Sequence, residues 1–308
     1  MRFTLRQLQV FVAVAQQESV SRAAVSLSLS QSAASTSLTE LERQTGCRLF
    51  DRAGKRLSLN ALGRQVLPQA MALLEQAREI EDLLSGKSGF GSLAVGATLT
   101  IGNYLATLLI GTFMQRHPEC KVSLHVQNTA NIVQQVAHYD IDLGLIEGDC
   151  QHPDLDVQPW VEDELVVFCA PGHPLAQHGR ATLKELMEEA WILRELGSGT
   201  RRTFDRALGR YPLGLNVRLE LEHTEAIKRA VESGLGISCI SRLALRDAFR
   251  RGSLVPLETP ELDLRRQFYF IWHRQKYQTA AMREFLEACR ALTAGVERSD
   301  EIVLPNIA

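Results

Sequence analysis

The chain is predicted to be an α/β protein in two parts. A small helical head, closed by a hairpin and followed by one long helix, leads into a body of two α/β lobes. Three observations carry this expectation. Helical patterns opened by serine or threonine crowd the first sixty residues, and an apolar stripe at steps of three and four runs from Leu62 to Leu84. From Ser92 onward, short apolar strands alternate with amphipathic helices. At 308 residues the chain is too long for one small core, so two or three domains are expected.

In the head, Thr4-Leu5-Arg6-Gln7 reads as a capping box, and Leu8, Phe11, Val12 and Ala15 recur at helical spacing behind it. Ser19 or Ser21 can cap a second helix through Ala23, Ala24 and Leu27, and Ser30 a third that ends near Gly46. Two short helices in this order, the second with a polar start, make a helix-turn-helix. On the third helix Ala34, Leu38 and Leu41 share the inner face, while Gln31, Ser32, Ser35 and Thr39 share the outer one. Glutamine can bond adenine at two points and serine can bond any base, so that face suits a major groove. A plain solvated face is the bland alternative. Arg52, Lys55 and Arg56 flank Gly54 in a hairpin wing whose tip suits phosphates, unless they too are only a solvated charge run.

Charge supports the first alternative in each case. Residues 1–60 hold eight Lys and Arg against four acids, net +4, while the rest hold 26 against 32. A basic head on an acidic body fits a protein that grips double-stranded DNA at one end and does other work at the other. The six cysteines, at 47, 120, 150, 169, 239 and 289, form no CxxC pair, and Cys150 with His152 offers only two metal ligands. Free thiols, no metal and no cofactor are therefore expected. No run of eighteen apolar residues occurs, and no secretory segment follows Met1-Arg2-Phe3-Thr4, so a cytoplasmic protein without a membrane partner is expected.

Asn60 opens the long helix, which reaches about Ser85. Its stripe of Leu62, Val66, Ala70, Leu73, Ala77, Ile80 and Leu84 calls for a partner helix, and a twin copy supplies one. Pro68 inside the stripe predicts a kink or a local compensation near Arg64, and Gly86 to Gly91 reads as a linker. In the body, strands are expected at Ser92 to Gly96, Lys121 to Val126 and Ile141 to Ile146, with helices at Tyr104 to Arg116 and Ala130 to His138. The rhythm recurs from Glu164 to about Val255. A return strand at Gln267 to Trp272 and a helix from Thr279 to Leu292 then rejoin the first lobe. Two lobes joined by two crossings leave a cleft where strand ends and helix starts converge.

Three segments meet at that cleft: Thr98 to Asn103, Asn128-Thr129, and Gly197-Ser198-Gly199-Thr200-Arg201. Hydroxyls, free amides and an arginine suit a small oxyanion. Ordinary helix caps explain each segment singly; their convergence favours a ligand. Glu147 is expected to pair Arg201 or to take a proton from the ligand, and Glu225, in Thr224 to Lys228, to help close the second lobe. The candidate ligand residues are thus Thr98, Thr100, Asn128, Thr129, Glu147, Ser198, Thr200, Arg201 and Glu225. An enzyme or a solute-binding protein acting on a small acid is the rival class, but no nucleophilic triad, metal cluster, phosphate loop or dinucleotide fingerprint appears.

Leu5-Arg6-Gln7-Leu8-Gln9-Val10-Phe11, Ser30-Gln31-Ser32-Ala33, Leu49-Phe50-Asp51-Arg52 and Glu164-Leu165-Val166-Val167-Phe168 resemble the LysR-type transcriptional regulators, over residues 1–295. The resemblance implies an amino-terminal winged helix-turn-helix at 1–59 and a linker helix and hinge at 60–90. After them come a two-lobed, periplasmic-binding-protein-like (type 2) effector domain at 91–295 and a tail at 296–308. Lobe I takes about 91–161 and 267–295, and lobe II about 162–266. It further implies a homodimer or homotetramer, a small anionic effector, RNA polymerase as a further partner, and no enzyme activity. Thr100 to Tyr104, Ile146-Glu147-Gly148, Trp160 to Leu165, Arg194 to Arg201 and Glu225 to Lys228 are similar to a sulfite-responsive subgroup, which makes sulfite or a like anion the expected effector.

Overall fold

The computed structural model describes residues 2–53, 56–85, 90–209 and 214–303. Thr4 and Gln7 form the expected reciprocal cap, and α1 (Leu5–Gln17) buries Leu8, Phe11 and Val14. Ser19 caps α2 (Val20–Ser26) through the Arg22 amide, and Ser30 caps α3 (Gln31–Thr45) through Ala33. Gly46, at φ 70°, ends α3 in the left-handed conformation that glycine adopts without strain. The antiparallel strands β1 (Phe50–Ala53) and β2 (Arg56–Leu59) form the wing, and Phe50 meets Phe11 edge to face at 5.7 Å.

The long helix α4 (Ala61–Leu84) starts on Asn60, whose side chain accepts from Gly63, and continues without a break through the buried Pro68. Gly63 sits so close to the wing that a Cβ there would fall 2.1 Å from the Leu49 carbonyl oxygen. The predicted stripe divides between two sides of the helix. Ala70 packs into the head core beside Leu74, whereas Leu62, Leu73, Ile80 and Leu84 stay exposed. A helix that leans on its own head must turn part of its apolar face inward. The linker residues 86–89 lie outside the described residues.

Lobe I opens with β3 (Ser92–Thr98), which runs parallel to both β4 (Lys121–Gln127) and β5 (Leu143–Glu147). Between β3 and β4 the helix begins earlier than expected. It starts as α5 (Leu99–Ile101), widens into a π turn at Gly102–Ala106, and continues as α6 (Thr107–Arg116). The Thr107 hydroxyl donates to the Gly102 carbonyl at 2.8 Å, five residues back. Helix α7 (Thr129–Ala137) joins β4 to β5.

The long β6 (Leu155–Cys169) and β11 (Arg265–His273) pair antiparallel and carry the chain between the lobes. Lobe II adds α8 (Leu183–Glu188), β7 (Ala190–Arg194), α9 (Gly199–Leu208), β8 (Asn216–Leu221), α10 (Thr224–Glu232), β9 (Ser238–Ser241), α11 (Arg242–Arg251) and β10 (Val255–Leu257). In it β7 and β8 are parallel, while β9 and β10 pair antiparallel with β6. Helix α12 (Ala280–Leu292) returns to lobe I and buries Met282, Phe285 and Leu286 in its core. Each lobe has its own core, and full burial of one such large side chain contributes about 1.5–3 kcal/mol.

Candidate functional site

Gln31, Ser32, Ser35 and Thr39 are all exposed along one face of α3, and Ala34, Leu38 and Leu41 are buried behind them. The Ser30 hydroxyl both caps the helix and lies 3.0 Å from that of Ser32. This helix surface exposes the Gln31 side-chain amide and the Ser35 and Thr39 hydroxyls. For Arg52 and Arg56 only the backbone pairing of the wing is described, and Lys55 lies outside the described residues.

At the cleft, Thr98, Thr100, Thr129, Glu147, Ser198 and Thr200 are all nearly or fully buried. One Glu147 oxygen accepts from the Thr100 amide at 2.8 Å. The other accepts from the Thr200 hydroxyl at 3.1 Å and lies 2.9 Å from Arg266 Nη1. Thr200 in turn accepts from Arg266 Nη1 at 2.9 Å. Burial alone raises the Glu147 carboxyl. The charges of Arg266 and Arg194 and the bonds from Thr98 and Thr100 outweigh it, so the group stays below the usual carboxylate range. The result is a carboxylate from lobe I locked between donors of both lobes.

The lobes also meet directly. The Gly199 amide donates to the Thr129 hydroxyl at 3.0 Å, and the Ala130 amide to the Gly197 carbonyl at 3.2 Å. A Cβ on Gly199 would fall 2.0 Å from the Glu147 carbonyl oxygen, so only glycine lets α9 approach this closely. Farther along the cleft the Tyr104 hydroxyl donates to Glu225. Lys228 Nζ lies 2.6 Å from that carboxylate and 3.2 Å from the Tyr104 oxygen. Burial, and then Glu225, drive the Tyr104 hydroxyl pKa far up, which keeps it a donor at any physiological pH.

A model of the "bacterial regulatory helix-turn-helix protein, lysR family" matches residues 5–64, and one of the "LysR substrate binding domain" matches residues 87–294. The chain belongs to the LysR family. It is 45% identical over 289 residues to the HTH-type transcriptional regulator YeiE of Escherichia coli (strain K12), described as uncharacterized, covering 94% of this chain and 98% of that one. The regulatory domain of Synechocystis PCC6803 CcmR, solved in complex with 2-PG, is 32% identical with a TM-score of 0.63, over 67% of this chain and 99% of that one. A full-length OxyR variant from Pseudomonas aeruginosa shares the fold, with a TM-score of 0.70 at 24% identity over 94% of each chain. This LysR protein is accordingly a transcriptional regulator with a ligand-binding effector domain, not an enzyme.

Within this LysR effector domain the expected pairing of Glu147 with Arg201 does not form. Arg201 turns outward to Asp205 at 2.9 Å, Glu220 at 3.0 Å and the Arg194 carbonyl at 3.0 Å. The other candidate residues already have partners within the protein. The cleft amides are not free, because Thr100 serves Glu147, Ala130 serves Gly197 and Gly199 serves Thr129. Asn128 caps α7 through the Asn131 amide, and the Ser198 hydroxyl accepts from the Arg201 amide at 3.5 Å. Thr98 bonds the Leu145 carbonyl at 3.5 Å, and Glu225 sits at the cleft rim with Lys228.

Arg266 is what sequence reasoning missed. It stands at the start of β11, one residue before the expected strand, with a fully buried side chain bonded at 2.6 Å to Asp163. Its signal was the Arg265-Arg266 pair, separated by Gln267 alone from the apolar run Phe268 to Trp272. Among the described residues no group of three His, Cys, Asp or Glu is arranged to hold a metal, and no helix is long and apolar enough to cross a membrane.

Proposed function

We propose that this regulator senses a small oxyanion, sulfite or a close analogue, in the cradle now held by Glu147, and reports it to DNA. The observation that carries the reading is the set of three donors around that carboxylate: the Thr100 amide, the Thr200 hydroxyl and Arg266 Nη1. These donors come from both lobes and from the crossing strand, and they already hold a group with the charge and shape of a small oxyanion. A free anion that replaces Glu147 keeps the same bonds and releases the carboxylate, which changes how the lobes are tied. It shifts the population only by the difference in its affinity for the two arrangements. The resemblance of the body to the sulfite-responsive subgroup directs the choice of anion.

In the same reading Gln31, Ser32, Ser35 and Thr39 contact bases in a major groove, and Arg52, Lys55 and Arg56 hold phosphates. The exposed Leu62, Leu73, Ile80 and Leu84 of α4 pair with a second copy, giving a dimer, or a tetramer built from two dimers, that reads two half-sites. The protein works in the cytoplasm, with RNA polymerase downstream of it.

The test is a thermal shift of the full chain against sulfite, sulfate, phosphate, nitrate and short carboxylates. One anion at a hundred times its Kd is expected to add about 2.7 kcal/mol of stability. A panel in which no anion stabilises the protein refutes the reading.

A further inference from the structure

We propose that the carboxy-terminal segment Arg298–Ile302 is a strap over the hinge between the lobes. Within it, Ser299 is a positioning residue for Arg266, the cation of the anion cradle. The proposal rests on the reading of the cleft given above.

The observations start at the crossing strands. Arg266 on β11 stands opposite Asp163 on β6, where the two strands pass from one lobe to the other. Both side chains are fully buried. Arg266 uses Nε for Asp163 and Nη1 for Glu147 and Thr200, while its Nη2 has no partner among the described residues. The orientation of the guanidinium plane therefore depends on where Asp163 holds Nε.

Asp163 is itself held from behind. Its Oδ1 accepts from Ser241 at 2.7 Å and from Ser299 at 2.5 Å. Ser299 is wholly buried although it falls within the last ten residues of the sequence. Its segment is tied to both lobes. Ile302 packs into the lobe I core, and Arg246 of α11 donates to the Ile302 carbonyl at 3.1 Å. Arg298 bridges to Glu162 through its backbone and lies 3.5 Å from Glu164.

A buried carboxylate must have its acceptor sites filled. If the Ser299 donor is removed, Arg266 Nη2 is a buried donor without a partner among the described residues, on the same guanidinium that already bonds Asp163. Asp163 then draws the guanidinium into a two-point grip, and Nη1 turns away from the cradle. Ser299 thus sets the geometry of the anion site through two intermediates, without touching the anion. Burial raises the Asp163 carboxyl, with Arg266, Ser299 and Ser241 opposing it. The charged groups around it are Arg266 on β11, Glu147 beyond that on β5, and Glu164 with its partners Arg242 and Arg298.

The experiment compares full-length wild type, Ser299→Ala and Ser299→Thr, with sulfite as the probe in calorimetric titration. Ser299→Ala is expected to weaken sulfite binding by about tenfold or more, the scale of one lost bond to a buried charge, and Ser299→Thr to restore it. The thermal deficit of Ser299→Ala should be larger at pH 8 than at pH 4, since a protonated Asp163 no longer needs the donor. Unchanged affinity overturns the proposal. So does an equal loss in both variants with a deficit that does not vary with pH, because that marks a packing role only.

If wild type itself binds no sulfite, the cleft reading fails on its own terms, and hydrogen exchange judges the strap. Faster exchange than wild type in β6 and β11 of Ser299→Ala supports it, and equal protection overturns it. If Ser299→Ala does not fold, Arg246→Met frees the Ile302 carbonyl without touching Asp163. Weakened sulfite binding in that variant supports the strap, and unchanged binding overturns it.

Discussion

Glu147→Ala separates the two roles assigned to the cradle, because it removes the resident carboxylate and leaves every donor in place. The Thr100 amide loses its acceptor, and Arg266 keeps only Asp163 as a counter-charge. Breaking a buried ion pair from one side costs about 3–5 kcal/mol. The surviving Asp163 contact places this case near the low end, about 3 kcal/mol. For an effector domain of this size that corresponds to a Tm lower by about 6–12 °C.

The pH dependence has a definite sign. The folded-state pKa of Glu147 is depressed, so its contribution is present above the unfolded value of about 4.3 and is lost as pH falls through the folded value. The gap between wild type and variant should stay constant from pH 5 to pH 8 and close only in stronger acid. Added formate should then refill the cradle. At ten times its Kd it returns about 1.4 kcal/mol to Glu147→Ala and much less to wild type, where the carboxylate is already in place. Scanning calorimetry of both proteins with and without formate measures this. Equal formate shifts in the two proteins, or equal Tm values at pH 7, refute the reasoning.

Three further outcomes are expected. Gln31→Ala should weaken binding to the footprinted operator by about 1–3 kcal/mol and random DNA far less, read by fluorescence anisotropy; equal loss on both removes its role in base reading. Ile80→Glu, at a residue 57% exposed on α4, should shift the oligomer toward smaller species in sedimentation velocity while leaving the fold intact by circular dichroism. Lys276→Met should abolish the effect of the anion on operator affinity, and retained coupling in the same anisotropy assay rules that role out.

What was legible in the sequence is what is decided locally. Thr4, Ser19, Ser30 and Asn60 each accept from an amide three residues on, and that spacing is visible in a string of letters. The cleft was legible as a place and misread in its charges. Ser198 is the cap of α9, so Thr200 and Arg201 stand successive turns of about 100° apart, and with Thr200 facing Glu147 the arginine is carried outward to Glu220. Arg266 enters instead because β11 pairs with β5 in the register Phe268 with Glu147, which puts the residue two positions earlier on the same face. That register is a long-range fact, absent from any window of sequence. The π turn at Gly102–Ala106 also escaped; it begins at Gly102, which sits so close to Val126 that a Cβ would fall 2.8 Å from it, another contact between distant residues. Ala70 was misassigned because one stripe on α4 serves two surfaces, and periodicity cannot say which residue goes to which.

The strand that carries Glu147 leads, at its other end, to contacts with the linker helix. β5 is only five residues long, and all five are buried. The residue before it, Asp142, accepts from the Ala94 amide at 2.7 Å and meets Lys276 at 2.7 Å, and Lys276 meets Glu75 of α4 at 2.5 Å. One turn farther along α4, Glu79 accepts from the Ala280 amide at the start of α12 and from the Tyr277 hydroxyl. Lys276 is almost completely buried. Desolvation works against its charge, but Asp142 and Glu75 outweigh that and hold its pKa above the usual lysine range. Burial meanwhile raises Glu75, whose second oxygen has no partner among the described residues, and Lys276 is the cation that bonds both acids. Release of the Glu147 carboxylate at one end of this buried strand is expected to be felt at Asp142, at the other. Lys276→Met removes the cation that joins Asp142 to Glu75, and so tests whether the linker helix responds to the cleft through it.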